Sequence, residues 1–289
     1  MKDLCAVALG LLCCAAGQAQ KRDAKLEAAM LPLLKDFKGE VGVFVKNLRT
    51  GKTAVYRPDS IFPTASIVKI PILVGVMNAV AQKKLSYHQT LTYKDSLADN
   101  SEGDILAAFK NNTPIELSKV LMLTLTTSDN TASLWLQSLA GTGTAINQEM
   151  EKLGLAHTRV NSRTPGREDA RKQYGWGQTT PAEMASLLEK IVNRQLISDS
   201  ASGAMLKLMS RNYWDEEGLS AIPPGVFVAS KNGAVNASRS ELMYVNAART
   251  PYIFAIFTKN NTDRSWEQSN EAWVLTRRLS QLVWKYFND

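Results

Sequence analysis

Apolar side chains recur at helical spacing where the folded part of the chain begins. Leu26, Met30, Leu33 and Phe37 predict an amphipathic helix. Residues 41–45 and 53–56 are rich in β-formers and flank Leu48-Arg49-Thr50-Gly51-Lys52, which predicts a hairpin. From Ala65 to about Leu208 the pattern turns helical. Within it, Thr113-Pro114-Ile115-Glu116 and Thr180-Pro181-Ala182-Glu183 each set a threonine before a proline and a glutamate, the signature of a capped helix start. Near the end the period returns to that of strands, over residues 226–230, 241–247 and 252–258. A last helix carries its apolar stripe on Leu275, Leu279, Leu282 and Tyr286.

This order predicts an α+β fold: a five-stranded antiparallel sheet built from both ends of the chain, flanked by the terminal helices. An all-helical domain is inserted between. The expected division is an α/β domain from residues 20–60 plus 212–289 and a helical domain over 61–211, with a cleft between them suited to a small-molecule substrate.

The first nineteen residues read as a cleaved signal peptide rather than part of the fold. Lys2 precedes an apolar run over residues 4–16 that is too short to span a bilayer, and Gly17-Gln18-Ala19 supplies small residues for cleavage after Ala19. The residues before Cys13 and Cys14 make lipidation the weaker reading. All three cysteines lie in this leader, so the mature, periplasmic chain is expected to hold no disulfide, thiolate metal site or cysteine nucleophile. His88 and His157 are too few and too far apart in sequence for a zinc site or a Ser-His-Asp triad, so the chemistry is expected to need neither histidine nor cofactor. The net charge of +7 comes without a like-charge run or an aromatic-studded basic helix, which gives no support to nucleic-acid binding. No later apolar run reaches membrane length, and a monomer is expected.

Three short motifs carry candidate chemistry. In Ser66-Ile67-Val68-Lys69 a hydroxyl and an amine three residues apart share a helix face, and a partly desolvated lysine can take a serine proton. Ser66 opens the apolar helix over residues 70–80, where backbone N–H groups favour a developing anion. Ser128-Asp129-Asn130 offers a hydroxyl to relay a proton and an amide to bind substrate, with Asp129 turned inward; taken alone it reads equally as a helix N-cap. Lys231-Asn232-Gly233 follows a β-rich run and offers a cation beside a glycine that lets a substrate backbone approach. Each motif is modest by itself. Their conjunction in this order is the signature of class A β-lactamases and penicillin-binding proteins.

From about residue 22 to its end the chain resembles a class A β-lactamase. Phe62 stands four residues before Ser66 as in the family's Phe-x-x-x-Ser-x-x-Lys, Thr179-Thr180-Pro181 resembles the opening of the helix after the Ω-loop, and Ser238-Arg239 resembles the family's Ser-Arg. The resemblance implies an acyl-Ser66 intermediate, an oxyanion hole at the N–H groups of Ser66 and Ala234, and carboxylate recognition by Lys231 and Arg239. Two departures stand out. Asn232 replaces a threonine or serine hydroxyl. In the Ω-loop the family's Glu-Pro-x-x-Asn falls on Thr164-Pro165-Gly166-Arg167-Glu168, so its deacylating glutamate becomes Thr164 and its asparagine Glu168. The Arg–Asp brace at the loop neck falls on Ser162 and Gly177. The base is therefore expected to have moved to Glu168, or else Glu168 points to solvent; Thr164→Glu would then restore the family arrangement. Rival activities are those of a serine esterase or D-Ala-D-Ala peptidase of the same fold, or a protein that is acylated and holds its ligand.

Overall fold

The computed structural model describes residues 21–99 and 103–289; the leader, with all three cysteines, lies outside the described residues. Helix α1 (Ala24–Lys35) leads into the hairpin β1 (Glu40–Asn47) and β2 (Thr53–Tyr56). A short β3 (Phe62–Pro63) and a single 3-10 turn (Ala65–Val68) precede α2 (Lys69–Ala81). Then come β4 (Thr90–Thr92), β5 (Pro114–Glu116), α3 (Leu117–Thr126), α4 (Asn130–Leu139) and α5 (Thr142–Lys152). Next are β6 (Arg159–Val160), α6 (Glu168–Tyr174), β7 (Gly177–Thr179), α7 (Pro181–Val192) and α8 (Asp199–Met209). The chain closes with β8 (Phe227–Val235), β9 (Ser238–Asn246), β10 (Tyr252–Lys259) and α9 (Glu271–Asn288).

The main sheet has five strands in the order β2-β1-β10-β9-β8, every neighbouring pair antiparallel. Both of its faces are buried, which is why β1 and β10 read as nearly continuous apolar runs rather than alternating ones. Val43, Val45, Met243, Phe254 and Ile256 pack with Met30 of α1 and with Leu279 and Val283 of α9. On the opposite face Phe44, Leu242, Ile253, Ala255 and Phe257 join the core of the helical block. Each such side chain contributes roughly 1.5–3 kcal/mol by leaving water.

Helix α2 is apolar around its circumference and runs through the middle of the helical block, with Ile70 to Met77 buried without a break. Only a helix enclosed on all sides tolerates such a surface. Gly75 lets it approach α5, since a Cβ there would lie 2.8 Å from Ile146.

Several expectations shift. The stripe of α9 runs through Leu275, Leu279, Val283 and Phe287, while Tyr286 is exposed and its hydroxyl donates to Asp23 Oδ1 at 2.8 Å. Thr180 caps α7 as expected, its hydroxyl oxygen accepting from Glu183 N at 3.1 Å. The Thr113 box does not open a helix: Pro114, Ile115 and Glu116 pair with Thr92, Leu91 and Thr90, and α3 starts one residue later. The Glu116 carboxylate serves Ser118 and His88 instead of reaching back to cap. Strand β8 also extends further than its apolar run, so Lys231-Asn232-Gly233 lies within the ladder with β9 rather than after it. Among the described residues no helix is long and apolar enough to cross a membrane.

Candidate active site

Ser66 sits on the 3-10 turn between β3 and α2, half-buried, where the chain turns sharply enough to hold Ala65 at φ +43°. Two contacts pin that turn: Thr64 N donates to Gly177 O at 2.9 Å, and Ser240 Oγ donates to Thr64 O at 3.2 Å. Gly233 is what lets β8 lie against it. A Cβ at Gly233 would come within 2.7 Å of Thr64 O and 2.8 Å of Ser66 N. The close approach expected of substrate here is made by the protein's own backbone, and it brings Ala234 beside Ser66 on the cleft wall.

Lys69 opens α2 one turn beyond Ser66 and is fully buried. Its Nζ lies 3.0 Å from Ser66 Oγ, 3.0 Å from Ser128 Oγ, 2.6 Å from Ser128 O and 2.7 Å from Asn130 Oδ1. Burial disfavours the ammonium and brings its pKa down to about 7, although Asp104, Asp129 and Asp99 pull the other way. Half of the amine is then neutral near pH 7. In that form two N–H bonds satisfy the two short carbonyl contacts, and the lone pair is left for a serine hydroxyl.

Ser128 occupies the tight turn between α3 and α4, at φ +64°. That left-handed geometry costs a β-carbon residue free energy and persists because neighbours enforce it. Asp129 does so on one side: it caps α4 by accepting from Ala132 N and also accepts from Leu106 N, each at 2.8 Å. Asp104 does so on the other, accepting from Asn130 N, Thr131 N and Thr131 Oγ1 at 2.8 Å. Asp104 carries no sequence signal, because it reaches α4 from a loop far back along the chain.

Lys231 is fully buried on β8, donating to Asn232 O at 2.9 Å. Burial and then the Lys69 charge push its pKa well below the usual lysine range, with the Glu241 carboxylate opposing them. Asn232 lines the cleft. Arg239 does not reach it. The side chain is 1% exposed, and its guanidinium donates to the carbonyls of Val235, Ser238 and Ser265. It lies 4.5 Å and 4.7 Å from the ring centroids of Trp266 and Trp273. The expectation that Arg239 meets a substrate carboxylate is corrected accordingly: its donors hold the β8–β9 turn and the Ser265 loop.

The Ω-loop departs furthest from expectation. Glu168 begins α6, is exposed, and accepts from Gly166 N at 3.1 Å, so the relocated-base reading is not met by the geometry. Thr164 is buried against α5 and donates to Ser162 O at 2.8 Å. A Cβ on Gly143 would overlap Thr164 Oγ1 at 1.8 Å, which leaves no room for the larger glutamate side chain. The neck is not unbraced. Val160 pairs with Gly177, both Asn161 N and Ser162 N donate to Trp176 O, and Arg167 bridges Asn161 Oδ1 at 3.0 Å and Gln178 Oε1 at 2.7 Å.

Ser66, Asn130 and Ala234 form the waist of a cleft with two lobes. A lobe of about 500 Å³ is walled by Gln173, Tyr174, Gly175 and Trp176 at the end of the Ω-loop. A lobe of about 720 Å³ holds Ser128, Asn232 and Gly233 and extends to Trp214, Trp266 and Trp273. Neither wall contains Glu168, Arg239 or Lys231, so the expectation that Lys231 meets a substrate carboxylate directly is corrected as well. The aromatic residues carry no signal in the sequence, where Trp214 and Trp266 fall on two separate loops and Trp273 on α9, with no shared spacing.

A hydroxyl, a buried amine and a second hydroxyl within 3.0 Å of that amine, set in such a cleft, are the equipment of a serine hydrolase that works without histidine. The chain belongs to the beta-lactamase enzyme family, whose model matches residues 24–287. It is 24% identical over 279 residues to the extended-spectrum β-lactamase PER-1 of Pseudomonas aeruginosa, covering 90% of this chain and 89% of that one. Its fold is that of class A β-lactamases. A structure of a class A representative from Bacteroides cellulosilyticus superposes with a TM-score of 0.81 at 20% identity, over 92% of this chain and 98% of the other. A mutant of PBP-A, captured as an acyl-enzyme complex with penicillin G, gives 0.82 at 24% identity over 93% and 98%.

Proposed function

We propose that this enzyme opens β-lactams through an ester on Ser66, with breakdown of that ester as the slow step. The observation that carries the first half is the amine of Lys69, 3.0 Å from Ser66 Oγ and near-neutral in pKa. Neutral Lys69 takes the Ser66 proton as Oγ attacks the lactam carbonyl, and the N–H groups of Ser66 and Ala234 hold the oxyanion. As the C–N bond breaks, Ser128 gives its proton to the departing nitrogen and is refilled from Lys69. Asn130 and Asn232 orient the substrate amide and carboxylate from the cleft wall, with the Lys231 amine buried behind Asn232.

The second half rests on the Ω-loop. Hydrolysis needs a base for water, yet Glu168 is exposed and bonded to Gly166, and Asp169 is exposed and pairs with Lys172 at 3.6 Å. No carboxylate of the described loop lines the cleft. This observation favours a long-lived acyl-enzyme over a fast hydrolase. The leader places the protein in the periplasm, with a mature chain starting at Gln20; intact mass of the exported protein tests that.

The decisive experiment is hydrolysis of a chromogenic cephalosporin followed beside intact-mass detection of the acyl-enzyme. A stoichiometric burst followed by slow turnover, both abolished in Ser66→Ala, is expected. A burst without turnover would make it an acyl-trapping binder. Neither burst nor turnover would point to an ester or D-Ala-D-Ala substrate.

A further inference from the structure

The two lobes of the cleft differ in chemistry. The Ser128 hydroxyl, donor to the leaving nitrogen, lines the larger lobe and not the smaller, so the leaving group occupies the larger one. Among the described residues that lobe is lined by four acids, Asp104, Glu216, Glu217 and Glu241, of which burial pushes Glu217 and Glu241 up to about 7, and by no lysine or arginine. Four aromatic rings, Tyr213, Trp214, Trp266 and Trp273, complete its far wall.

The nearby cations are committed elsewhere. Arg277 pairs with Glu217 at 2.9 Å, Lys231 donates to Asn232 O at 2.9 Å, Lys69 is at Ser66, and Arg239 stands behind the Trp266 and Trp273 rings. Among the acids, Glu241 accepts from Gly218 N at 2.7 Å and Asp104 caps α4. Glu216 differs: it is exposed, and Gln268 Nε2 stands off at 3.4 Å. A second anion entering here would meet carboxylates, and a purely apolar group would strip them of water. An organic cation would meet both the exposed Glu216 carboxylate and aromatic rings able to attract it. The Arg239 guanidinium already takes one face of Trp266 and of Trp273, while Tyr213, Trp214 and Trp266 stay exposed to a ligand.

We propose that this lobe is a subsite for an organic cation, an ammonium or pyridinium group carried on the leaving-group side of the acylating substrate. The proposal rests on the acyl-Ser66 reading, and its test has an arm that does not. In the first arm, acylation rate constants are measured for two cephalosporins with one acyl side chain, bearing either a quaternary ammonium or a neutral acetoxy group at C3. The cationic one is expected to be favoured about tenfold, with the ratio falling towards one in Glu216→Gln and falling with added salt. In the second arm, tryptophan fluorescence of Ser66→Ala follows binding of choline and of 3,3-dimethylbutanol, its neutral isostere. Choline is expected to bind several-fold more tightly, and less so in Ser66→Ala carrying Glu216→Gln as well. Equal ratios in parent and Glu216→Gln, or no preference for choline, would overturn the subsite. Failure of both cephalosporins to acylate Ser66 would sink the acyl-enzyme reading, and the choline arm would still judge the subsite.

Discussion

A buried lysine with a pKa of about 7 is a base only above that pH. The acylation rate constant is therefore expected to be low at pH 5 and to rise tenfold per unit until it levels above about pH 7, a profile that a fluorescent penicillin can read. Lys69→Ala should lower the plateau by roughly 100- to 10,000-fold. Arg239 makes a different prediction. With its fork on three carbonyls and its faces on two rings, Arg239→Ala should cost at least roughly 1.5–3 kcal/mol in urea unfolding, and substrates with and without a carboxylate should suffer alike. Glu168→Gln should leave deacylation unchanged, and Thr164→Glu should destabilise the fold by crowding Gly143. The motif residues Ser66, Lys69, Ser128, Asn130 and Asn232 were legible because their types and spacing are chemically constrained. Glu168 and Arg239 misled because side-chain direction depends on neighbours from other elements: the Gly166 amide in one case, the Trp266 and Trp273 rings in the other.

At the level of elements, the terminal helices were readable from their period, since a face packed on a core must repeat, and the strands of the main sheet from their runs of apolar β-formers, since both sheet faces are buried. Short elements were not. Nothing local distinguishes Thr113-Pro114 from Thr180-Pro181; one is drawn into a ladder with Thr90–Thr92 and the other caps α7. The Ω-loop shows the same limit, since its brace passed from an ion pair to Arg167, which joins Asn161 to Gln178 across the neck. Arg167→Ala should loosen that neck without unfolding the rest. Hydrogen exchange at the Asn161 and Ser162 amides, both bonded to Trp176 O, is expected to speed up roughly tenfold, as for a local opening eased by about 1.4 kcal/mol, while amides of β10 keep their protection.

For the molecule as a whole, the central fact is that β10 lies between β1 and β9. Removing residues 247–289 would split the sheet into two hairpins and strip α1 of its partner α9, so this truncated chain should give no cooperative thermal transition. The same arrangement sets an order of events. Whether from a ribosome or through a translocation pore, the chain arrives N-terminus first, and β1 emerges with Glu40 waiting for Lys259. Until the last strand appears, the apolar edge of β1 is a template for any other extended chain. The sheet of the nascent protein thus stays open through nearly its entire delivery, and release of the C-terminus is what lets it close.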